Sequence, residues 1–502
     1  MIRSVDLAAW FRARSLADVP SVLVVLGVLF RVLASLFMDV QQDGATYAAM
    51  GHALAQHGEF LMPWGDTIQR FQSTPAYSHH YSPLYPAILA AGYLVSGYSL
   101  ATTKLVALTV SLAALAVVWY CSRDVLGPKR GWWVMGFLAV EPGFVLATGT
   151  GFTENLVLLL FTLTLWGILR SLEEPRFVVL AGVAASLGYL TRSGMGALFI
   201  IAGVGGFLWR FRYHRWRVFQ DGYYLVAALI FGTTVAAWGI RNVVRFGSWE
   251  TSLYTTFCFQ YAREHLDLVA QGLVAKFPLF VFFLALYAIP LKVELARARK
   301  EWKREDQSAL WLAAFLVVFI GWVMATVYWV VEASPVWWFD QHRYVVVAFL
   351  PLLWLALRQA KVEERSFQLR TVALSAVLVL GSVGLLVFPT QTPIAAAAAS
   401  LPLAHESQVG MAGALDKYKA YPYFQRLDVE VYDCQAGTWD AAWQPGNESW
   451  AKAPDPCVGK APDFILSTQP LSALNYTLLR TASVPILFGL THLDAYAYRR
   501  MA

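Results

Sequence analysis

Charge is what this chain most conspicuously lacks. Asp, Glu, Lys and Arg make up 14% of its 502 residues, against roughly 25% in an ordinary globular protein. So few charges cannot clothe the water-facing surface of a soluble protein this long. Cysteine is also scarce: there are four, with no C-x-x-C, which excludes a disulfide framework and a zinc-binding pattern. Only Cys434 and Cys457, in the one long polar region, are placed to pair, and only if that region faces an oxidising compartment. No G-x-x-x-x-G-K-[ST], H-E-x-x-H or D-x-D occurs, so nothing suggests a soluble nucleotide pocket or a zinc hydrolase. What is abundant is apolar: 58% of residues are hydrophobic and the mean hydropathy is +0.50. That content excludes disorder and leaves a polytopic membrane protein. The net charge of +6 does not point to nucleic acid, because the basic residues fall in loops between apolar runs.

A bilayer core needs about 20 apolar residues per helix. Eleven spans are expected, at 20–38, 101–122, 131–148, 153–170, 176–191, 194–209, 222–242, 276–291, 308–331, 343–358 and 370–388. A further apolar segment, 83–99, is short and rich in Pro, Gly and Tyr. If it does not span, the loops alternate cleanly between 22 basic residues on the N-terminal side and eight on the other side of the membrane part. The positive-inside rule then puts the N-terminus in the cytoplasm, and 83–99 is expected to be an interfacial or re-entrant helix on the outer face. The first span is too long, and lacks the small-x-small site, for a cleaved signal peptide. The expected fold class is therefore an all-α polytopic membrane protein of about 11 transmembrane helices plus an interfacial helix. Residues 1–390 form the membrane domain, with 39–100 as its first outer loop. Residues 391–502, richer in Asp, Pro, Gly, Trp and Tyr, are expected to form a small extracytoplasmic α/β domain. No internal repeat is evident.

Polar residues collect on the outer face. The first outer loop carries Asp39, Asp43, Glu59, Asp66, His79 and His80, and its stretch 43–57 has helical character. Asp43 sits where an N-cap belongs, which is its structural reading. Glu154 stands at the outer mouth of a span. A carboxylate there is costly and often functional, although the helix dipole also favours it. Glu141, beside Pro142, is a weaker candidate. Arg192, Arg241, Arg245 and Arg343 lie at outer helix ends, the last beside Tyr344. Arginine at a helix end can simply snorkel, but several on one face with two carboxylates suit an anionic substrate, since guanidinium matches phosphate oxygens. Arg31 lies within the first span, and either a carboxylate partner or the outer interface could satisfy it. The glycines of 203–206 and 148–151 are expected to let helices pack closely.

Four stretches in this order and placement resemble the GT-C superfamily of membrane glycosyltransferases. The likeness is to its protein O-mannosyltransferase and lipid A aminoarabinose transferase group, glycosyltransferase family 39-like. They are DGATYAAMGHALAQHG at 43–58, YSPLYPAIL at 81–89, WGIRNVVRFG at 238–247 and HRYVVVAFLP at 342–351. TEN at 153–155 and GVAASLGYLTR at 182–192 add to them. The resemblance covers about residues 20–390. It implies a polyprenyl-phosphate-linked sugar donor, an acceptor hydroxyl (lipid, glycan or protein) on the outer face and an aspartate base, here Asp43. Glu154 matches the second acidic position. Two departures stand out: Gly44 replaces the acid that follows the first aspartate in many relatives, and His79-His80-Tyr81-Ser82-Pro83 lacks their Lys or second Pro.

The expected reaction is transfer with inversion. Asp43 takes the acceptor's proton, Arg241, Arg343, Tyr344 and Arg192 receive the leaving phosphate, and Glu154 orients the acceptor or a cationic partner. Tyr47, His79, His80 and Tyr81 are possible substrate contacts. No cofactor is certain; a divalent cation bridging Asp43, Glu154 and the phosphate is possible in principle. The expected location is the bacterial inner membrane with the C-terminal domain in the periplasm. A secondary transporter or envelope lipid flippase, or a scaffold subunit, are the rival readings.

Overall fold

The computed structural model describes residues 19–38, 40, 42–62, 76–77, 81–192, 196–220, 222–246, 278–301, 346–358, 364–387, 397 and 401–402, and the C-terminal strands named below with Asp463. The expected span 308–331, His79, His80, Arg343, Tyr344, Cys434 and Cys457 lie outside the described residues.

Thirteen helices are described before the C-terminal strands: α1 Val19–Phe37, α2 Gln42–His57, α3 Leu84–Ser96, α4 Leu100–Leu126, α5 Pro128–Ala139, α6 Pro142–Thr150, α7 Glu154–Ser171, α8 Phe177–Thr191, α9 Gly196–His214, α10 Gly222–Phe246, α11 Pro278–Glu301, α12 Phe349–Arg358 and α13 Arg365–Val387. A small antiparallel pair, β1 Leu61–Met62 and β2 Ala76–Tyr77, sits between α2 and α3. By length and composition five of these helices can cross a membrane, or six if α5 and α6 count as one bent span. The 13-residue α3 rises only about 20 Å at ~1.5 Å per residue, short of the ~30 Å hydrocarbon core. Its length therefore fits the interfacial expectation.

The expected span 131–148 is broken, and Pro142 is the reason. Proline lacks the N–H that a continuous helix needs and pushes the preceding residue to extended backbone. Glu141 accordingly has φ −71° and ψ 122°, and α5 and α6 meet at 54°. The break frees helix-end groups inside the protein, and four of them have a side-chain partner. Glu141 Oε2 accepts from the Phe144 N–H at 2.9 Å and so caps α6. Arg31, fully buried on α1, donates Nη1 to the Ala139 carbonyl and Nη2 to the Leu138 carbonyl at 2.9 Å. Ser382 on α13 donates to the Val140 carbonyl at 2.8 Å. Arg31 thus serves the broken helix, with the Ser111 hydroxyl on Nε at 2.8 Å.

Helix α1 runs alongside α5 and α6 in the same direction, with Gly136 against Pro20 and Leu23, Gly27 against Ala139, and Gly149 against Ala34 and Met38. All nine residues of α6 are buried. At one end of the bundle, α4, α7 and α8 bring Arg170, Asp124, Glu173, Glu174 and Arg176 into ion pairs. Trp354 on α12 donates to Ser122 there at 2.8 Å. This is the basic end. Glu154 opens α7 at the opposite end.

In the C-terminal stretch, β3 Gln408–Ala412, β4 Glu430–Asp433, β7 Phe464–Ser467, β8 Tyr476–Ile486 and β9 Thr491–Arg500 form one sheet, in the order β4-β3-β7-β9-β8. β5 Ala441–Gln444 and β6 Asn447–Lys452 form a separate hairpin. β3 pairs in parallel with both β4 and β7, with Val409 opposite Val431 and Phe464, while β9 is antiparallel to β7 and β8. Parallel pairs need crossover connections, and the residues joining β3 to β4, 413–429, lie outside those described.

Candidate functional site

The site forms where α1 turns into α2. Helix α2 begins at Gln42, so Asp43 lies within the first turn rather than at the N-cap expected from sequence. Its carboxylate is half-buried and accepts from the Tyr81 hydroxyl at 3.2 Å. Gly44 explains the missing second acid. A Cβ there would run into the Thr150 carbonyl and meet the Gly151 backbone at 3.1 Å. Any side chain would push α2 off the end of α6. Gly151 closes α6 in the left-handed conformation (φ 76°, ψ 26°), and the chain then turns through Thr153 into α7.

Glu154 is fully buried and ion-paired with Arg192 Nη1. Arg192 ends α8 in extended backbone, its N–H bonded to the Gly188 carbonyl at 3.2 Å. The helix end thereby delivers the guanidinium to the mouth of the neighbouring helix. Beside Glu154, Asn155 donates Nδ2 to the Thr148 hydroxyl and the Phe144 carbonyl, both at 3.1 Å. Thr148 in turn donates to Ser111 at 2.8 Å. A buried polar chain therefore runs from Arg31 through Ser111 and Thr148 to Asn155.

Tyr47 lies at the centre. Its ring meets Tyr81 edge-on at 5.3 Å and Tyr85 at 5.5 Å. Burial pushes its hydroxyl well above the usual tyrosine range; the Arg192 guanidinium opposes the shift, and the Asp43 and Glu154 carboxylates add to it. Tyr47 therefore stays a neutral phenol among two carboxylates and one guanidinium. Farther along α2, His52 stacks on Tyr98 at 3.8 Å with the rings 2° from parallel, and Tyr93 meets it edge-on. Burial, helped by His57, lowers its pKa to about 4.

Arg241 lies at the same end of the bundle. Gly182 on α8 meets Ala227 on α10, and Tyr189 meets Phe231, so the two helices run in the same direction. At ~1.5 Å per residue, Arg192 and Arg241 follow about 15 and 21 Å farther on. The Arg241 guanidinium stands 4.5 Å from the Trp238 ring centre and donates to Asn242 Oδ1 at 2.9 Å. The spacing of the Trp-x-x-Arg-Asn element has this physical meaning: i and i+3 share a helix face, so the ring supports the cation.

Asp43, Tyr47, Tyr81, Glu154 and Arg192 thus come together, and Arg241 shares their end of the bundle. Sequence reasoning quoted the stretches that hold Tyr85 and Asn155 but gave neither residue a role in the site. Tyr85 follows Tyr81 by four residues, a spacing that could have shown it. The described donors do not make a cation site. Gly44 has no ligand, Glu154 is engaged by Arg192, and among the described residues no group of three or more His, Cys, Asp or Glu could hold a metal ion.

A family model of dolichyl-phosphate-mannose-protein mannosyltransferases matches residues 79–239. No curated protein sequence matches the chain. Among solved structures, ArnT from Cupriavidus metallidurans bound to undecaprenyl phosphate aligns with a TM-score of 0.60, at 13% identity over 98% of both chains. Its apo state gives 0.55, at 14% identity over 95% of this chain and 97% of that one. The Archaeoglobus fulgidus oligosaccharyltransferase in complex with Zn and sulfate gives 0.51, at 13% identity over 90% of this chain and 68% of that one. At such identities the structural likeness is one of fold. The chain shares the fold of ArnT, and its residues 79–239 resemble the protein mannosyltransferases.

Proposed function

We propose that this protein is an inverting glycosyltransferase that moves a sugar from a polyprenyl-phosphate-linked donor to an acceptor hydroxyl on the extracytoplasmic face of a membrane. The observation that carries the proposal is the unequal condition of the two acids around Tyr47. Glu154 is buried and neutralised by Arg192, while Asp43 is half-buried with a phenol as its hydrogen-bond partner. Asp43, the less buried of the two and the match to the aspartate of the resembled family, is the acid we assign to take a proton from an incoming hydroxyl. The acceptor oxygen attacks the anomeric carbon, its proton passes to Asp43, and the bond from that carbon to the phosphate oxygen breaks, releasing the lipid phosphate. Arg241, held over Trp238, and Arg192 stabilise the charge that develops on the phosphate in a water-poor setting. Glu154 fixes Arg192. Arg343, Tyr344, His79 and His80 join this proposal on sequence grounds alone. Two comparisons support the donor class: the mannosyltransferase family match and the undecaprenyl phosphate bound to ArnT.

In this reading the basic end faces the cytoplasm of a bacterial inner membrane. Residues 1–390 are the catalytic domain, and 391–502 form a periplasmic α/β domain. The test is incubation of the purified chain in detergent with a panel of polyprenyl-phosphate sugars, scored for release of lipid phosphate. Release by the wild type that Asp43→Asn abolishes supports the proposal. Full release by Asp43→Asn removes the assigned base. Absence of release with every donor, while vesicles show lipid or solute movement, replaces the enzyme with a transporter.

A further inference from the structure

Helix α7 begins without the usual lock. Thr153 occupies its N-cap position in helical backbone (φ −80°, ψ −9°) and makes no side-chain cap bond, whereas a capping threonine has extended backbone and accepts from the first turn. The first turn is held instead by Asn155, which is 2% exposed. Its amide reaches across to α6, donating Nδ2 to the Phe144 carbonyl and the Thr148 hydroxyl, both at 3.1 Å. A carbonyl can only accept, so the orientation of the amide is forced: turned over, it would set oxygen against oxygen. Thr148 is itself held. Its hydroxyl meets that of Ser111 at 2.8 Å, and Ser111 accepts from Arg31 Nε at 2.8 Å. Arg31 in turn is anchored on the carbonyls that end α5. Thr148, Ser111 and Arg31 have no solvent exposure, so each of these bonds is stronger than it would be in water.

Helix α6 is also what α2 rests on, since Gly44 lies against the carbonyl of Thr150, one of its last residues. One short helix is therefore the common reference for both acids. Gly44 seats Asp43 on it. Asn155 ties to it the turn that carries Glu154 and, through Glu154, the Arg192 guanidinium. We infer that Asn155 is a positioning residue: it sets the distance between Asp43 and Arg192, acting through the helices that carry them rather than on the substrates. The inference rests on the glycosyltransferase reading, in which Asp43 takes the acceptor's proton while Arg192 receives the phosphate in the same step. Both groups must then be in place at once, and a misplacement of about 1 Å can cost roughly 100-fold in rate. The buried polar chain thereby does more than satisfy a broken span. It carries the position of the α5–α6 break, which Pro142 sets, to the mouth of α7.

The test uses purified full-length chain in detergent. Lipid-phosphate release is measured with the polyprenyl-phosphate sugar that the wild type accepts, and amide hydrogen exchange is measured on the same proteins. Asn155→Ala removes the amide without adding bulk or charge, and the Thr148 hydroxyl, 2.9 Å from the Phe144 carbonyl, still serves that carbonyl. This variant should lower kcat about 100-fold while KM for the donor changes less than about threefold. Amides of 153–157 should exchange about tenfold faster, with those of 165–171 unchanged. Thr148→Val, equal in shape but without the hydroxyl, should lower kcat about tenfold, and Thr148→Ser should restore it. Asn155→Ala/Thr148→Val should be no slower than Asn155→Ala, because both changes act through one bond. A wild-type kcat in Asn155→Ala would overturn the inference and leave the glycosyltransferase reading standing. So would a slow Asn155→Ala with unchanged exchange at 153–157, which would make Asn155 a direct substrate contact. Faster exchange along the whole of α7, or a loss in Thr148→Ser equal to that in Thr148→Val, would mark general loosening and overturn it as well. Absence of release by the wild type with every donor would remove the reading and the positioning role together.

Discussion

Replacing Arg192 with methionine leaves the Glu154 carboxylate buried without its guanidinium. The Glu154 side chain has no solvent exposure and that of Arg192 only 15%, so water cannot screen or replace the lost partner. Removing one member of a buried pair typically costs about 3–5 kcal/mol, because the remaining charge stays desolvated. Glu154→Gln alone leaves a partly exposed guanidinium and should cost less, about 1–3 kcal/mol. The double variant Glu154→Gln/Arg192→Met holds neither charge and should recover most of the Arg192→Met loss. The expected coupling energy is about 3–7 kcal/mol, well above the ~0.5 kcal/mol within which independent sites add. The four proteins can be compared by equilibrium unfolding in detergent with titrated dodecyl sulfate. Additive single losses would mean that the two groups do not meet in the folded protein, and the arrangement of the site would have to be abandoned. In the glycosyltransferase reading the double variant should remain folded yet slow, since Arg192 would also be missing from the phosphate.

Gly44→Ala places a methyl group against the Thr150 carbonyl and should cost about 1–3 kcal/mol through overpacking; with Asp43 displaced, transfer should fall about 100-fold, and an unchanged rate would show that α2 does not rest on the α6 turn. Arg31→Met removes the donors that satisfy the broken α5 and should lower stability by about 3–5 kcal/mol, with Arg31→Lys recovering part of it; unfolding measurements showing no loss would refute the assigned role. His52 predicts the pH response of α2. Its pKa is lowered from 6.5 to about 4, so the unfolded chain takes up a proton first as pH falls. Its contribution is intact above about pH 6.5 and is lost progressively down to about pH 4, by at most about 3 kcal/mol. His52→Phe keeps the ring against Tyr98 and should flatten thermal stability across that window; an unaltered pH profile would assign the dependence to other groups.

The sequence by itself determined the membrane class, because composition alone excludes a water-facing surface, and it located the five described helices able to cross a membrane, because apolar runs of the right length are local features. It also identified Asp43, Glu154, Arg192 and Arg241 as polar residues at helix mouths, since charge at such a position is conspicuous in one dimension. The sequence reading took 131–148, with Pro142 inside it, as one span, and it did not show that Arg31, 108 residues from Ala139, would satisfy the carbonyls the break exposes. Only the tertiary structure decided that Glu154 is buried against Arg192 while Asp43 is half-buried beside Tyr81. That depends on where the end of α8 meets the start of α7, and on the Tyr81 hydroxyl reaching Asp43 across 38 positions of chain. It also decided that two glycines three residues apart on α9 do different things, Gly206 meeting Ile168 while Gly203 faces open space. A small residue in a sequence states only that room is available; the neighbouring helix determines whether that room is filled.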